Sequence, residues 1–218
     1  MTAPLTISEG RIRAMTAALD ELAQSEKRAV SVPFFSPDDI AALIRQCQKL
    51  PMRQAKPRVG AEGREVIQDF DICFPAPRDR ALGQLADMLE DTVKQALERT
   101  QFAHLDEDFI LNDVAVQHYP PKSKGIGVHM DSLRYRGLVF IITLAGQSCL
   151  SVCEDRDANG AKAIDDTPGQ LAILSAPGFC GRGADDSRPL HYVHDVTGGR
   201  LSIGLRHDTR AEQNHSSN

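Results

Sequence analysis

Apolar residues in this chain change their spacing once, near His104, and that change limits the folds open to it. Before it they recur every three to four positions, the period of a helix that buries one side. Ile12, Met15, Leu19 and Leu22 form one such stripe within residues 8–27, with Ser8 placed to cap the first turn. Ser36-Pro37-Asp38-Asp39 then offers an N-cap, a proline that suits the first helical turn, and two acids that favour the positive helix end. Ile40, Leu43, Ile44 and Cys47 follow at helical spacing, which predicts a second helix to about residue 50. Leu82, Leu85, Leu89, Val93 and Leu97 predict a third over 79–100, and residues 30–35 read as a short strand.

Beyond His104 the period falls to two. Residues 109–119 alternate, 137–144 form a dense β-branched run, and 148–153, 170–174, 190–196 and 200–206 are further strand candidates. Turn-forming stretches separate them, among them Asp155-Arg156-Asp157-Ala158-Asn159-Gly160 and Pro168-Gly169. Helices first and many short strands afterwards predict an α+β chain with the helices packed on a β-sandwich or open barrel. The length, 218 residues with 41% hydrophobic content, suits one such domain over 31–207, with residues 1–30 as a helical extension and 208–218 as a polar tail.

Composition narrows the setting. No apolar run approaches the length of a membrane span, and the N-terminus lacks a basic-then-apolar leader, so a cytoplasmic location and no membrane partner are expected. The five cysteines are odd in number and lack C-x-x-C spacing, which points to reduced, packed thiols. A net charge of −5 disfavours a large nucleic-acid footprint.

One constellation carries chemistry. His129-Met130-Asp131 places an imidazole and a carboxylate on the same side of a strand end, and His191 lies far downstream. Two imidazoles and one carboxylate suit Fe(II) and leave coordination positions open for redox chemistry. Arg200, nine residues after His191, could clamp a carboxylate of a 2-oxo acid through paired N–H groups. His194 competes with His191 for the third position. The two point to opposite faces of one strand, and alternation does not say which face is inside.

These residues resemble the iron(II)/2-oxoglutarate dioxygenase superfamily over roughly residues 109–206. Asn112-Asp113-Val114-Ala115-Val116-Gln117-His118-Tyr119, Gly127-Val128-His129-Met130-Asp131, and the spacing from Arg200 to Arg206 are similar to its AlkB-like branch. Gln117 replaces that branch's Asn, however, and Ser202 and Gly204 replace its Asn-x-Thr. The short interval from His191 to Arg200 and the element Arg200-Leu201-Ser202 look instead like relatives of isopenicillin N synthase.

The resemblance implies a double-stranded β-helix (jelly roll), with the N-terminal helices on one sheet. It implies Fe(II) on His129, Asp131 and His191, and favours His191 over His194. It also implies 2-oxoglutarate held by Arg200, with Tyr119 and Ser202 donating hydroxyls and Gln117 and Arg206 assisting. The expected activity is oxidation by O2, by default hydroxylation, with release of succinate and CO2. Specificity in such folds resides in loops, and residues 50–69, 132–136 and 176–188 are the candidate lids. Arg134 and Arg136, just after Asp131, are the candidate substrate contacts, and a small polar or anionic metabolite is the favoured substrate. The alternatives are an AlkB-like demethylase of nucleic acid or protein and a non-catalytic β-sandwich sensor. With no Trp and three Tyr, the chain is poor in the aromatic surfaces on which an extruded base stacks.

Overall fold

A computed structural model describes residues 5–106 and 109–210. It is a mixed α/β structure in which two antiparallel sheets face each other and helices cover one of them. In chain order the elements are α1 (Glu9–Gln24), β1 (Ala29–Pro33), α2 (Pro37–Cys47), β2 (Arg53–Gln54), β3 (Arg58–Val59), β4 (Val66–Asp69), β5 (Asp71–Cys73) and α3 (Arg80–Leu97). There follow β6 (Asp113–Tyr119), β7 (Gly125–His129), β8 (Tyr135–Gly146), β9 (Cys149–Cys153), β10 (Lys162–Ile164), β11 (Gln170–Ser175), α4 (Ala184–Ser187), β12 (Leu190–His194) and β13 (Arg200–Asp208). The larger, seven-stranded sheet has the order β1-β11-β8-β13-β6-β5-β2, and the six-stranded one β10-β9-β12-β7-β4-β3.

The helix caps are those the sequence suggests. Ser8 accepts from the backbone N–H of Arg11, and Ser36 and Asp39 cap α2 reciprocally, with Pro37 in the first turn. The stretch 50–69, expected as a loop, carries β2, β3 and β4, strands too short to show a period. Residues 109–112 alternate in sequence, yet the strand begins only at Asp113, where pairing with β13 starts. At the other end β13 runs on to Asp208, and residues 211–218 lie outside the described residues.

Alternation along β6 and β13 splits the interior into two layers. Val114, Val116, Ile203 and Leu205 point outward from the large sheet and pack against Leu85, Leu89 and Val93 of α3 and Leu19 and Leu22 of α1. The other face meets the small sheet: Tyr119, Val139 and Leu174 pack against Ile126, Leu150 and Val193. Each buried leucine contributes roughly 1.5–3 kcal/mol by leaving water, so the helical layer fixes the sheet on which the inner face depends. No helix among the described residues is long and apolar enough to cross a membrane.

The inner face of the large sheet is set by register. Arg200 pairs with Tyr119, Ser202 with Gln117, Gly204 with Ala115, and Arg206 with Asp113. Because directly opposed residues share a face, these eight side-chain positions form a double row across the space between the sheets.

Candidate metal centre

β7 ends at His129 and β12 begins at Leu190, and their antiparallel pairing sets His191 directly opposite His129. The rings lie 4.2 Å apart between centroids. Asp131, two residues past the strand end, turns back so that its Oδ2 is 3.8 Å from His191 Nε2. One ligand atom from each of His129, Asp131 and His191 lies within 4.8 Å of the other two.

The rings are oriented for coordination. His129 Nδ1 is 2.9 Å from the Gly127 carbonyl and His191 Nδ1 is 3.1 Å from that of Pro189. A carbonyl only accepts, so each Nδ1 carries the proton and each Nε2 keeps its lone pair for a metal. Burial, reinforced by the neighbouring His191, pushes the His129 pKa down to about 4, so this ring is neutral under ordinary conditions. His194 points elsewhere. Its Nε2 is 3.1 Å from Ser151 Oγ, its Nδ1 is 2.9 Å from the Asp195 carboxylate, and its ring stacks on Tyr192.

At one end of the inner double row, Arg200 is 2% exposed. Its guanidinium donates to Ser148 Oγ at 2.9 Å and pairs with the Asp166 carboxylate, which also accepts from Thr143 Oγ1 at 3.0 Å. The Nε of Arg200 is buried with no hydrogen-bond partner. Tyr119 packs at a tilt against Phe70 and donates to Gln117 Oε1 at 3.3 Å, and burial raises its phenol pKa. Ser202 is buried between Gln117 and Thr143 in the sheet.

At the other end, Arg206 binds Asp113 through Nε at 2.7 Å and a terminal nitrogen at 2.6 Å, with its carbon 4.8 Å from the Tyr135 ring centre. Burial raises the Asp113 pKa, and Arg206 and Arg134 counter part of that rise. Arg134 lies 2.9 Å from Asp208 and donates to the Tyr135 hydroxyl at 2.8 Å. A cavity of about 490 Å³ opens here, lined by His129, Asp131, Gln117, Arg134 and Arg206 and walled by Phe70, Ile72 and Phe74.

Arg136, expected beside Arg134 at a substrate, is placed elsewhere. Arg134 precedes β8, whose first residue, Tyr135, faces the cavity, so the next, Arg136, faces the other way and lines a small crevice with Leu105, Phe109 and His207 on the helical side of the sheet. Sequence reasoning missed three acids. Asp113 and Asp208 could have been suspected from carboxylates at buried strand positions, whereas Asp166 sits in a turn and carries no such signal.

No protein-family model and no curated protein sequence matches the chain. Solved structures do. A prolyl hydroxylase from Trichoplax adhaerens, in complex with a hypoxia-inducible factor oxygen degradation domain peptide fragment, superposes with a TM-score of 0.66 at 15% identity, covering 96% of both chains. A 2OG-Fe(II) oxygenase family oxidoreductase from Burkholderia pseudomallei gives 0.59 at 14% identity, covering 95% of this chain and 96% of that one. The chain has the fold of the Fe(II)/2-oxoglutarate oxygenases. A prolyl-4-hydroxylase from Pseudomonas putida extends this oxygenase fold to a third example, at 0.63 and 19% identity over 89% of this chain and 98% of that one. The His-Asp-His cluster and the unpartnered Arg200 Nε are the features in this oxygenase fold that fit a ferrous ion and an acidic co-substrate.

Proposed function

We propose that this protein is an Fe(II)- and 2-oxoglutarate-dependent dioxygenase that hydroxylates a small polar or anionic molecule. The observation that carries the reading is the convergence of His129 and Asp131, at the end of β7, with His191 of β12, both Nε2 atoms being left as acceptors. The two facing sheets are then a double-stranded β-helix, with residues 31–207 as the catalytic unit and 1–30 as a helical extension. The five free thiols agree with a reducing cytoplasm.

In this reading Fe(II) is held by His129, Asp131 and His191, and when bound with 2-oxoglutarate it supplies the activation of O2. The balance is one substrate C–H, one O2 and one 2-oxoglutarate giving one C–OH, succinate and CO2. The protein's share is positioning. Arg200 offers its buried Nε edge to the distal carboxylate, with Ser202 and Tyr119 as hydroxyl donors beside it. The single Tyr119 O–H, which donates to Gln117, is the one that would turn to that carboxylate. Arg206, held by Asp113, lines the cavity with Asp131, and the apolar residues Phe70, Ile72 and Phe74 restrict water there.

The test is anaerobic addition of Fe(II) and 2-oxoglutarate, which should give a weak visible metal-to-ligand charge-transfer band, followed by succinate formation in air. A protein that retains Fe(II) and shows no such band would refute the reading.

A further inference from the structure

The arginines around the cavity fall into two groups. Arg206 is paired with Asp113, and Arg134 with Asp208, so both charges are balanced within the wall. Arg64, in the loop between β3 and β4, and Arg156, in the loop after β9, also line the cavity and are exposed. Neither has a carboxylate partner among the described residues, and the Arg156 guanidinium contacts only the Val128 carbonyl, at 3.4 Å.

Acids close to them in sequence are turned away. Asp155 is occupied by the Asp157 and Asn159 backbone N–H groups and the Asn159 amide, which hold its own turn together. Glu154 packs beneath Gly160 and borders a different cleft. Glu62 and Glu65 are exposed and do not line the cavity. The rim therefore carries two uncommitted guanidinium groups, while the cavity that holds the metal ligands has an apolar stretch of wall in Phe70, Ile72 and Phe74.

We infer that the substrate is a small anion with a hydrocarbon body, its carboxylate or phosphate held by Arg64 and Arg156 and its carbon chain laid along Phe70, Ile72 and Phe74. The inference rests on the oxygenase reading of the same site and adds the chemical class of what is oxidised. Guanidinium groups suit this role because their fixed N–H pairs match the oxygens of either anion, and they stay charged at any working pH. Both anion types use that fork, so the ligands tested must separate them. A cavity of about 490 Å³ has room for a compact co-substrate and a small molecule together.

The experiment uses the full chain loaded anaerobically with Fe(II) and saturating 2-oxoglutarate. Appearance of the charge-transfer band is scored first, because its absence refutes the oxygenase reading whatever the rim binds. Hexanoate, hexyl phosphate, hexanamide and hexylamine, equal in chain length, are then titrated calorimetrically. One or both anions should bind at least about tenfold more tightly than the amide and the amine, the difference expected of one charge-assisted contact. Which anion binds more tightly separates carboxylate from phosphate recognition.

The double variant Arg64→Gln/Arg156→Gln should lose that advantage together with its salt dependence, and Arg64→Lys/Arg156→Lys should retain part of it. Anions that bind no better than the amide, including no measurable binding of any of the four, overturn the inference. So does a Gln double variant that keeps the preference.

Discussion

Asp166→Asn probes the oxygenase reading at its most demanding point, the buried cation expected to hold the co-substrate. Asp166 and Arg200 have side chains 9% and 1% exposed, and among the described residues Asp166 is the only carboxylate paired with this guanidinium. Removing one charge from such a pair leaves the other desolvated, at a cost of about 3–5 kcal/mol. Asn keeps the volume and one acceptor for Thr143, which places the cost near the lower end, about 3 kcal/mol. For a chain of this size that lowers Tm by roughly 6–12 °C.

The same substitution should strengthen 2-oxoglutarate binding, because the incoming carboxylate no longer shares Arg200 with a resident one. A gain of about 1.4 kcal/mol corresponds to a tenfold lower Kd. At a concentration about 100 times the wild-type Kd, ligand stabilisation then grows from about 2.7 to about 4.1 kcal/mol. Thermal unfolding with and without 2-oxoglutarate, beside a charge-transfer titration, measures both effects. A fall in Tm with unchanged co-substrate affinity would show that the co-substrate does not compete with Asp166 and meets Arg200 only at its open Nε edge, and an unchanged Tm would show that the pair carries no stability.

Three further outcomes are expected. His191→Ala should abolish Fe(II) binding measured by equilibrium dialysis, whereas His194→Ala, which loses only contacts to Ser151 and Asp195, should retain it; equal losses would contradict the placement of the triad. Burial, with a smaller push from Cys73, raises the Cys47 pKa to about 12, so its thiolate is scarce at pH 8 and native protein should leave it unlabelled by iodoacetamide, as read by peptide mass; rapid labelling would contradict its burial. Leu89→Ala, in the fully buried stripe of α3 against the large sheet, should cost about 2–5 kcal/mol in denaturant unfolding, and a change below about 1 kcal/mol would mean that the helical layer does not fix the sheet.

The features legible in the sequence are those written in local period. Alternation placed Arg200, Ser202, Gly204 and Arg206 on one face of β13, and helical spacing found α1, α2 and α3, with the caps of the first two. Features set by pairing between distant strands were not legible. Alternation separates His191 from His194 but is symmetric between the two faces. What breaks the symmetry is the register of β12 on β7, which puts His191 against His129. Arg134 and Arg136 pose the opposite problem: two apart, they would share a face of a regular strand, but β8 begins only at Tyr135 and its pairing with β13 is irregular between Arg206 and His207. The basic stretch 50–69 read as a loop because two-residue strands carry no period, though its Arg64 does reach the cavity.

Asp166 shows why the electrostatics of this site follow from the fold and not from any motif. It lies 34 positions before Arg200, in the turn that returns the chain from β10 in one sheet to β11 in the other. A turn joining the two sheets passes over the edge of the space between them, so an acid there can enter the inner layer without belonging to a strand. Arg200 cannot remain buried and uncompensated before a ligand arrives, because an isolated charge in that environment costs several kcal/mol. The chain resolves this by lending the guanidinium a carboxylate of its own while leaving the Nε edge open. A dicarboxylic co-substrate must either take that open edge or displace Asp166. Asn at position 166 separates the two routes: displacement predicts a tighter complex, whereas binding at the open edge alone predicts a fall in Tm that the co-substrate only partly restores.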